Sequence, residues 1–466
     1  MAEDHTSEAP LMLSVSGARG IVGRSMTPDV AHRLASIWGA RLASDSDVTP
    51  RVILGRDSRP SGPELAEAAA RGLSWAGCEV IRLGIVTTPT VGVMIGATRA
   101  SGGVMITASH NPTPWNGLKL LDGTGTAPPV EIAMPIMDRF RSDEQIPEAG
   151  TSPGIHEETR ASDTHLAKVL GQIDPAPIQA SGFHVVLDSV NGAGGPIGSS
   201  LLGHLGCETS LLHNAPTGEF AHPPEPREEN LGELCVSVRE SGADVGFAQD
   251  PDADRLAIID ETGRYIGEEY TLALVTDWML RTTDGDGVVV ANLSTSRMID
   301  DLVARHGGRV LRTAVGEANV VEAMRAEDAL LGGEGNGGVI LPGVCYIRDS
   351  LGAMAMVLAS MADSGRPLSE LVDAIPSYAM VKTKYALPGS GGAEAVASVL
   401  EQVRAAWPEA AVNDLDGVRL DFADAWVHVR ASNTEPIARI IAEAPQREAA
   451  IELVEAVAAL AGWSVA

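Results

Sequence analysis

The stretch Arg51-Val52-Ile53-Leu54-Gly55, read on to Leu83, decides the fold class. Its apolar run reads as a buried strand, and a helix-like stretch follows from Pro63 to Trp75. After Gly77 a second strand begins, Cys78-Glu79-Val80-Ile81-Arg82-Leu83. The pattern returns in Val185-Val186-Leu187-Asp188, a glycine-rich turn, and the run from Gly206 to Leu212. It returns again in Val288-Val289-Val290, a helical stretch from Met298 to Ala304, and Arg309-Val310-Leu311. Short apolar strands alternating with amphipathic helices imply βαβ units, and three such units predict three similar α/β domains.

The tail breaks the pattern. From Ser377 it predicts a strand (Ala379 to Tyr385), a helix (Ala393 to Ala406), strands at Val418-Arg419-Leu420 and Trp426 to Arg430, and a last helix from Gln446 to Leu460. That is a smaller α+β domain. Polar, proline-rich stretches at 143–160 and 374–378 mark two boundaries, and a third near 260 is weakly marked. The chain therefore divides into 1–158, 159–259, 260–376 and 377–466.

A chain of 466 residues with 44% hydrophobic and 21% charged residues can bury several cores. Nothing approaches the roughly 18 consecutive apolar residues of a membrane span. Met1-Ala2-Glu3-Asp4-His5 lacks a basic-then-apolar leader pattern. Cys78, Cys207, Cys235 and Cys345 are scattered and read as reduced, which fits the cytoplasm. A net charge of −28 argues against nucleic acid as a partner, since phosphate backbones repel such a surface. Only Lys119, Lys168, Lys382 and Lys384 among 34 cationic residues are lysines. Acidity with lysine depletion suggests a protein kept soluble in concentrated salt; a GC-rich genome is the alternative source of the arginine bias.

Four polar segments carry the chemistry. Ile106-Thr107-Ala108-Ser109-His110-Asn111-Pro112 delivers a serine to the end of an apolar strand, where it can carry a phosphoryl group. Most loop serines only cap or turn, so this segment gains weight from its company. Asp250-Pro251-Asp252-Ala253-Asp254-Arg255 follows a strand-like run, and carboxylates at i, i+2 and i+4 of extended backbone converge on a hard cation. A solvated acidic turn is the ordinary reading of such a run. A calcium loop is disfavoured because Arg255 stands where a glycine is needed, although Glu261 is well spaced. Gly332-Gly333-Glu334-Gly335-Asn336-Gly337-Gly338 lets backbone approach a ligand, with Glu334 able to accept two hydroxyls. Arg430-Ala431-Ser432-Asn433-Thr434-Glu435-Pro436 offers a guanidinium, hydroxyls and amides to a phosphate monoester, and Arg439 lies nine residues on.

These four segments in this order resemble the α-D-phosphohexomutase family of phosphoglucomutases, phosphomannomutases and phosphoglucosamine mutases. The resemblance covers essentially the whole chain. It implies an α/β fold: three similar domains with mixed sheets and a smaller C-terminal domain around a central cleft. It implies that Ser109 is the phosphorylated nucleophile and that Asp250, Asp252 and Asp254 bind one magnesium ion per active site, with Ser109 completing the metal set. Arg255 would face the phosphoserine or the substrate. Glu334 and Asn336 would read the sugar; Arg430, Ser432, Asn433 and Thr434, helped by Arg439, would hold its phosphate.

Ser16-Gly17-Ala18-Arg19-Gly20 resembles the family's N-terminal arginine motif and places Arg19 at the active site. His110 beside Ser109, and Lys119 in Asn116-Gly117-Leu118-Lys119, join it there, Lys119 for proton transfer or phosphate neutralisation. Gly55-Arg56-Asp57-Ser58-Arg59 matches as support for the serine loop. Many bacterial members carry Ser-Gly-His after the glutamate; here Asn336, Gly337 and Gly338 stand there, as in a branch often assigned to phosphoglucosamine mutase.

The implied reaction interconverts hexose 6-phosphate and hexose 1-phosphate, with a hexose 1,6-bisphosphate as intermediate and activator. Glucosamine 6-phosphate is the expected substrate, and glucose or mannose phosphates are the alternative. The partners are the hexose phosphate alone, without membrane or nucleic acid, in a monomer or homodimer. A phosphatase and a non-catalytic sugar-phosphate or metal-binding module are remote alternatives, disfavoured by the serine loop and acidic triplet occurring together.

Overall fold

The computed structural model describes residues 10–45, 47–150, 153–283, 287–386, 392–431 and 437–463. The first segment runs β1 (Met12–Ser14), β2 (Gly17–Ile21), α1 (Pro28–Ser44), β3 (Arg51–Arg56), α2 (Gly62–Trp75), β4 (Glu79–Ile85), α3 (Thr88–Thr98), β5 (Gly102–Ile106), β6 (Trp115–Asp122), α4 (Val130–Arg141) and β7 (Ile155–Glu157). Its seven strands form one mixed sheet in the order β1-β2-β6-β5-β3-β4-β7. β3 pairs parallel with β4 and β5, whereas β6 returns antiparallel to β5 and β2.

Both faces of this sheet are covered, which is why its strands are continuous apolar runs. Val52, Leu54, Val104 and Ile106 pack with Leu34, Ile37, Trp38, Leu65 and Leu73. Ile53 and Met105 face the other way, onto Val91, Ile95 and Leu121. Each fully buried Leu or Ile contributes about 1.5–3 kcal/mol over its exposed state. α1 and α2 cross closely at Gly72, where a Cβ would lie 2.2 Å from the His32 carbonyl oxygen.

The second segment adds α5 (Ala161–Leu170), α6 (Pro175–Ser181), β8 (His184–Asp188), α7 (Gly194–His204), β9 (Glu208–Leu212), α8 (Gly232–Ser241), β10 (Val245–Gln249) and β11 (Leu256–Asp260). Their sheet has the order β11-β10-β8-β9, with only the β10–β11 hairpin antiparallel. Next come α9 (Glu269–Thr282), β12 (Val288–Asn292), α10 (Met298–Arg305), β13 (Arg309–Thr313), α11 (Glu317–Ala326), β14 (Leu331–Glu334), β15 (Gly338–Ile340), α12 (Ser350–Ser364) and α13 (Leu368–Asp373). β12 is parallel to β13 and β14. The last segment is β16 (Ala379–Ala386), α14 (Gly392–Ala406), β17 (Ala411–Asn413), β18 (Val418–Asp421), β19 (Trp426–Ala431), β20 (Ile437–Ala444) and α15 (Arg447–Ala461). Its sheet, β16-β20-β19-β18-β17, is antiparallel throughout.

The architecture is three mixed α/β domains followed by an antiparallel C-terminal domain. By contacts the chain forms two compact units, one of residues 1–278 and 336–372, the other of 279–335 and 373–466. Among the described residues no helix is long and apolar enough to cross a membrane, and the four cysteines are free thiols. The glycine-rich turn expected after Asp188 opens instead into α7.

Candidate active site

In the larger unit, Ser109 follows β5 with φ at +51° and is 2% exposed. The left-handed region is costly for a serine, and such strain persists only where surroundings impose it. Arg59 imposes it. Its terminal nitrogens donate to the carbonyl oxygens of Ser109 (2.6 Å), Asn111 (2.6 Å), Pro112 (2.9 Å) and Trp115 (3.0 Å). Its Nε pairs with Asp57 at 3.1 Å, and both side chains are fully buried. Thr107 links the two ends of this device, donating to Asp57 at 2.6 Å and accepting from the Ser109 amide at 2.9 Å.

The acidic triplet occupies the connection between β10 and β11. The sequence reading expected extended backbone here, and the structure corrects it. Ala253 has φ at +54°, and the amides of Asp254 and Arg255 donate to Asp250 Oδ1 at 3.1 and 3.2 Å, so a tight turn brings the carboxylates together. One oxygen from each of Asp250, Asp252 and Asp254 lies within 4.8 Å of the others, and all three residues are buried. Ser109 Oγ donates to Asp250 Oδ2 at 2.9 Å, which joins the serine loop to the triplet. Thr88 Oγ1, at the start of α3, donates to Asp252. Glu261 bonds the amide of Ser369 at 3.1 Å, away from this loop, so the calcium-loop reading fails.

Four cations lie around the triplet. Lys119 Nζ lies 2.6 Å from Asp252 Oδ2 and 3.3 Å from Asp254 Oδ2. Arg19 and Lys119 share a face of the sheet, because Gly17 is opposite Lys119 and Arg19 is opposite Gly117. Arg19 also donates to Asn111 Oδ1 at 3.1 Å. Arg255 Nε stands 3.9 Å from Asp254 Oδ1.

Arg348, which the sequence reading did not single out, donates to Asp254 Oδ2 at 2.8 Å. Gly338 explains its access: a Cβ there would lie 2.2 Å from Arg348 Cδ. Gly338 thus leaves the space open, and an arginine from ten residues on crosses it.

The electrostatics follow from burial of like charges. Burial, and then Asp254 and Asp252, push the Asp250 carboxyl well above its usual range. Burial also works against ionised Asp254, but Arg348, Lys119 and Arg255 outweigh it and hold this carboxyl below its usual range. Lys119 is held above its ordinary value: burial opposes the charge, and Asp252 and Asp254 more than offset it. His110 Nδ1 lies 3.3 Å from Ser109 Oγ, and burial, with Arg255 and Arg19 nearby, pushes its pKa down to about 2. Asp252 Oδ1 and Asp254 Oδ1 are buried without a hydrogen bond. Buried carboxylate oxygens without a hydrogen bond fit a hard divalent cation.

In the smaller unit, Glu334 ends β14, and Asn292 Nδ2 donates to its Oε1 at 2.8 Å. The Gly335 amide donates to Thr295 at 3.1 Å, and Lys382 Nζ donates to the Gly335 carbonyl at 3.3 Å. Arg430 is the penultimate residue of β19 and is 7% exposed. Its register partner on β20 is Arg439, whose partner on β16 is Lys384. Like charges directly opposite one another destabilise a sheet unless an anion lies over them. Burial lowers the pKa of Arg430, with Asp416 opposing. Ser432, Asn433 and Thr434 lie outside the described residues, and Asn336 belongs to the larger unit, with its Oδ1 3.0 Å from where a Gly338 Cβ would stand.

Comparison with known proteins decides the family. Models of phosphoglucomutase/phosphomannomutase match in chain order: alpha/beta/alpha domain I at residues 12–147, domain II at 163–263, domain III at 267–378 and the C-terminal domain at 388–460. The chain belongs to the α-D-phosphohexomutase family. A phosphoglucomutase/phosphomannomutase of Thermococcus kodakarensis is 38% identical over 94% of this chain and 96% of its own. A probable phosphoglucosamine mutase of Methanopyrus kandleri is 36% identical over 94% and 95%. The crystal structure of a phosphoglucomutase/phosphomannomutase family protein from Burkholderia thailandensis matches with a TM-score of 0.85 at 25% identity, covering 98% of this chain and 99% of that one. This phosphohexomutase is therefore an enzyme of a family whose typical substrates are hexose phosphates.

Sequence reasoning missed Arg348, Thr88, Asn292 and Lys384 in this phosphohexomutase. Only Lys384 had a signal in the sequence, as one of four lysines.

Proposed function

We propose that Ser109, resting as phosphoserine, transfers its phosphoryl group to a bound hexose monophosphate and recovers the other phosphate of the bisphosphate so formed. The observation that carries this is the hydrogen bond from Ser109 Oγ to Asp250 within a buried triplet that holds two carboxylate oxygens without a hydrogen bond. Phosphoryl transfer demands positioning and charge neutralisation more than covalent help. Asp250, Asp252 and Asp254 would hold one magnesium ion, which supplies charge neutralisation at the transferring group. Lys119, Arg19, Arg255 and Arg348 neutralise the remaining phosphoryl charge, and neutral His110 lends polarity beside Ser109 without adding charge. Arg430, Arg439 and the 432–434 segment hold the non-reacting phosphate, while Glu334 and Asn336 read the sugar hydroxyls. On this reading the working domains are 1–158, 159–259, 260–376 and 377–466.

Glucosamine 6-phosphate is the preferred substrate we infer. The Glu334-Gly335-Asn336-Gly337-Gly338 form of the sugar loop and the likeness to the Methanopyrus protein support it. The likeness to the Thermococcus protein supports glucose and mannose phosphates as the second reading.

The test has two parts. Ser109→Ala should abolish turnover while leaving sugar-phosphate binding, and intact mass of the wild type should show a fraction heavier by one phosphate. Turnover by the alanine variant overturns the phosphoserine route. The ratio of kcat/KM for glucosamine 6-phosphate, glucose 1-phosphate and mannose 1-phosphate assigns the sugar, and a preference for either of the latter overturns the glucosamine assignment.

A further inference from the structure

Within the larger unit, a second convergent set lies apart from the serine loop and the acidic triplet: Asp188, His213 and His222. Asp188 ends β8 and is buried, and His213 directly follows β9. His213 Nδ1 lies 3.3 Å from both carboxylate oxygens of Asp188, and His222 Nε2 lies 3.1 Å from Oδ2. One donor atom from each residue falls within 4.8 Å of the others.

The hydrogen bonds around the set define what it can hold. His222 Nδ1 is 2.9 Å from the Pro223 carbonyl oxygen, which only accepts, so Nδ1 carries a proton. Nε2 then faces the lone pairs of Asp188, a contact that a proton or a metal ion must fill. A metal-bound imidazole characteristically donates its other N–H to a carbonyl, as His222 does here. The Val190 amide fixes the carboxylate, donating to Asp188 Oδ1 at 2.9 Å. Glu233 lies 3.6 Å from His213 Nε2, on the outer side of that ring. The two rings are 21% and 16% exposed, which leaves an entry path and a coordination position for water.

We propose that Asp188, His213 and His222 form a site for one borderline divalent ion of the zinc, cobalt or nickel class, separate from the hard-cation set at Asp250. Two imidazoles and a carboxylate with an open fourth position suit such an ion and not magnesium. The site is structural. It ties the ends of β8 and β9 to the segment carrying Phe220, whose ring lies 4.9 Å from the Arg59 guanidinium. Ser58 Oγ and the Gly218 amide both donate to the Asn191 carbonyl, at 2.9 and 3.0 Å, so the same turn backs the support of the serine loop.

The experiment uses full-length enzyme freed of metal by chelator and returned to excess magnesium, so that the hard site is filled. Titration with Co2+ should give one equivalent of visible d–d absorption of a low-coordinate site, which Zn2+ displaces. His213→Gln and His222→Gln should each weaken Co2+ binding by at least about tenfold, and Asp252→Asn should leave the band unchanged. Far-UV circular dichroism checks folding, and Asp188→Asn serves if a histidine variant fails to fold. No visible band in the wild type, or a band that survives in the double histidine variant, overturns the proposal.

Discussion

Arg59→Met isolates the device that holds Ser109 in the left-handed region. Methionine keeps an apolar stem of similar length but loses the guanidinium, which is wholly buried and donates to four carbonyl oxygens besides pairing with Asp57. Removing one partner of a buried ion pair costs about 3–5 kcal/mol, because the remaining charge is uncompensated. The lower end applies here. Burial already pushes the Asp57 carboxyl up and Arg59 is the main opposing influence, so without Arg59 it takes up a proton. About 3 kcal/mol should therefore be lost in urea unfolding followed by circular dichroism at neutral pH. With the carbonyls released, the serine loop relaxes toward ordinary backbone. A displacement on the order of 1 Å at a nucleophile costs about 100-fold in rate, read as kcat in a coupled mutase assay. Arg59→Lys separates charge from geometry: it keeps the pairing with Asp57 but cannot span the four carbonyls, so it should recover stability more than kcat. The reasoning is refuted if Arg59→Met unfolds within about 1 kcal/mol of wild type and keeps both kcat and the phosphorylated fraction of Ser109.

Asp252→Asn should weaken magnesium activation, measured as the Mg2+ concentration giving half-maximal rate; an unchanged value would return the triplet to a structural turn. Lys384→Met should raise KM for every sugar phosphate by a similar factor, with Arg430→Ala larger at about 2–3 kcal/mol of lost phosphate contact; an effect confined to one sugar would place these residues at the ring. Burial pushes the pKa of His428 down to about 4, with the Asp416 carbonyl and side chain opposing. The unfolded state then binds the extra proton, so this contribution is intact above pH 6.5 and lost as pH falls through 4. Wild type should lose roughly 2–3 kcal/mol more than His428→Gln between pH 7.5 and 4.5 in urea unfolding, and equal losses would contradict it. If the −28 charge reflects a saline cytoplasm, Tm should rise between about 0.1 and 2 M KCl while KM also rises; a flat or falling Tm excludes that origin.

The parts of the fold that were legible are those where burial is two-sided or alternating. All five residues of Gly102–Ile106 are buried, and the run announces itself as a strand. β20 did not: Ala438, Ala442, Glu443 and Ala444 favour helix by local propensity, and only pairing on both sides with β16 and β19 makes the segment a strand. α12 was equally silent, because Ser350 through Met361 are buried all round and show no period. At the site, the residues that converge through a single loop could be read. Arg348 could not, since it lies in none of the polar motifs and only the fold brings it to Asp254.

The distribution of lysine bears on mechanism more directly than the acidic surface does. Three of the chain's four lysines stand among candidate site residues of one unit or the other: Lys119 between two carboxylates in the larger unit, and in the smaller Lys382 on the Gly335 carbonyl and Lys384 in the row with Arg439 and Arg430. A bias toward arginine, whatever its source, should have replaced lysine wherever a fork serves as well. At Lys119 it does not serve. The Nζ reaches Asp252 at 2.6 Å and Asp254 at 3.3 Å while two neighbouring oxygens remain without a hydrogen bond, and the side chain is 13% exposed. A planar guanidinium with five donors would engage those free oxygens, and an ammonium, as a compact point charge, leaves them open. The lysine therefore balances part of the triplet's charge without occupying the oxygens a hard cation needs. On the proposed reading, phosphoryl transfer needs those oxygens open to a hard cation, and a solvated acidic turn does not.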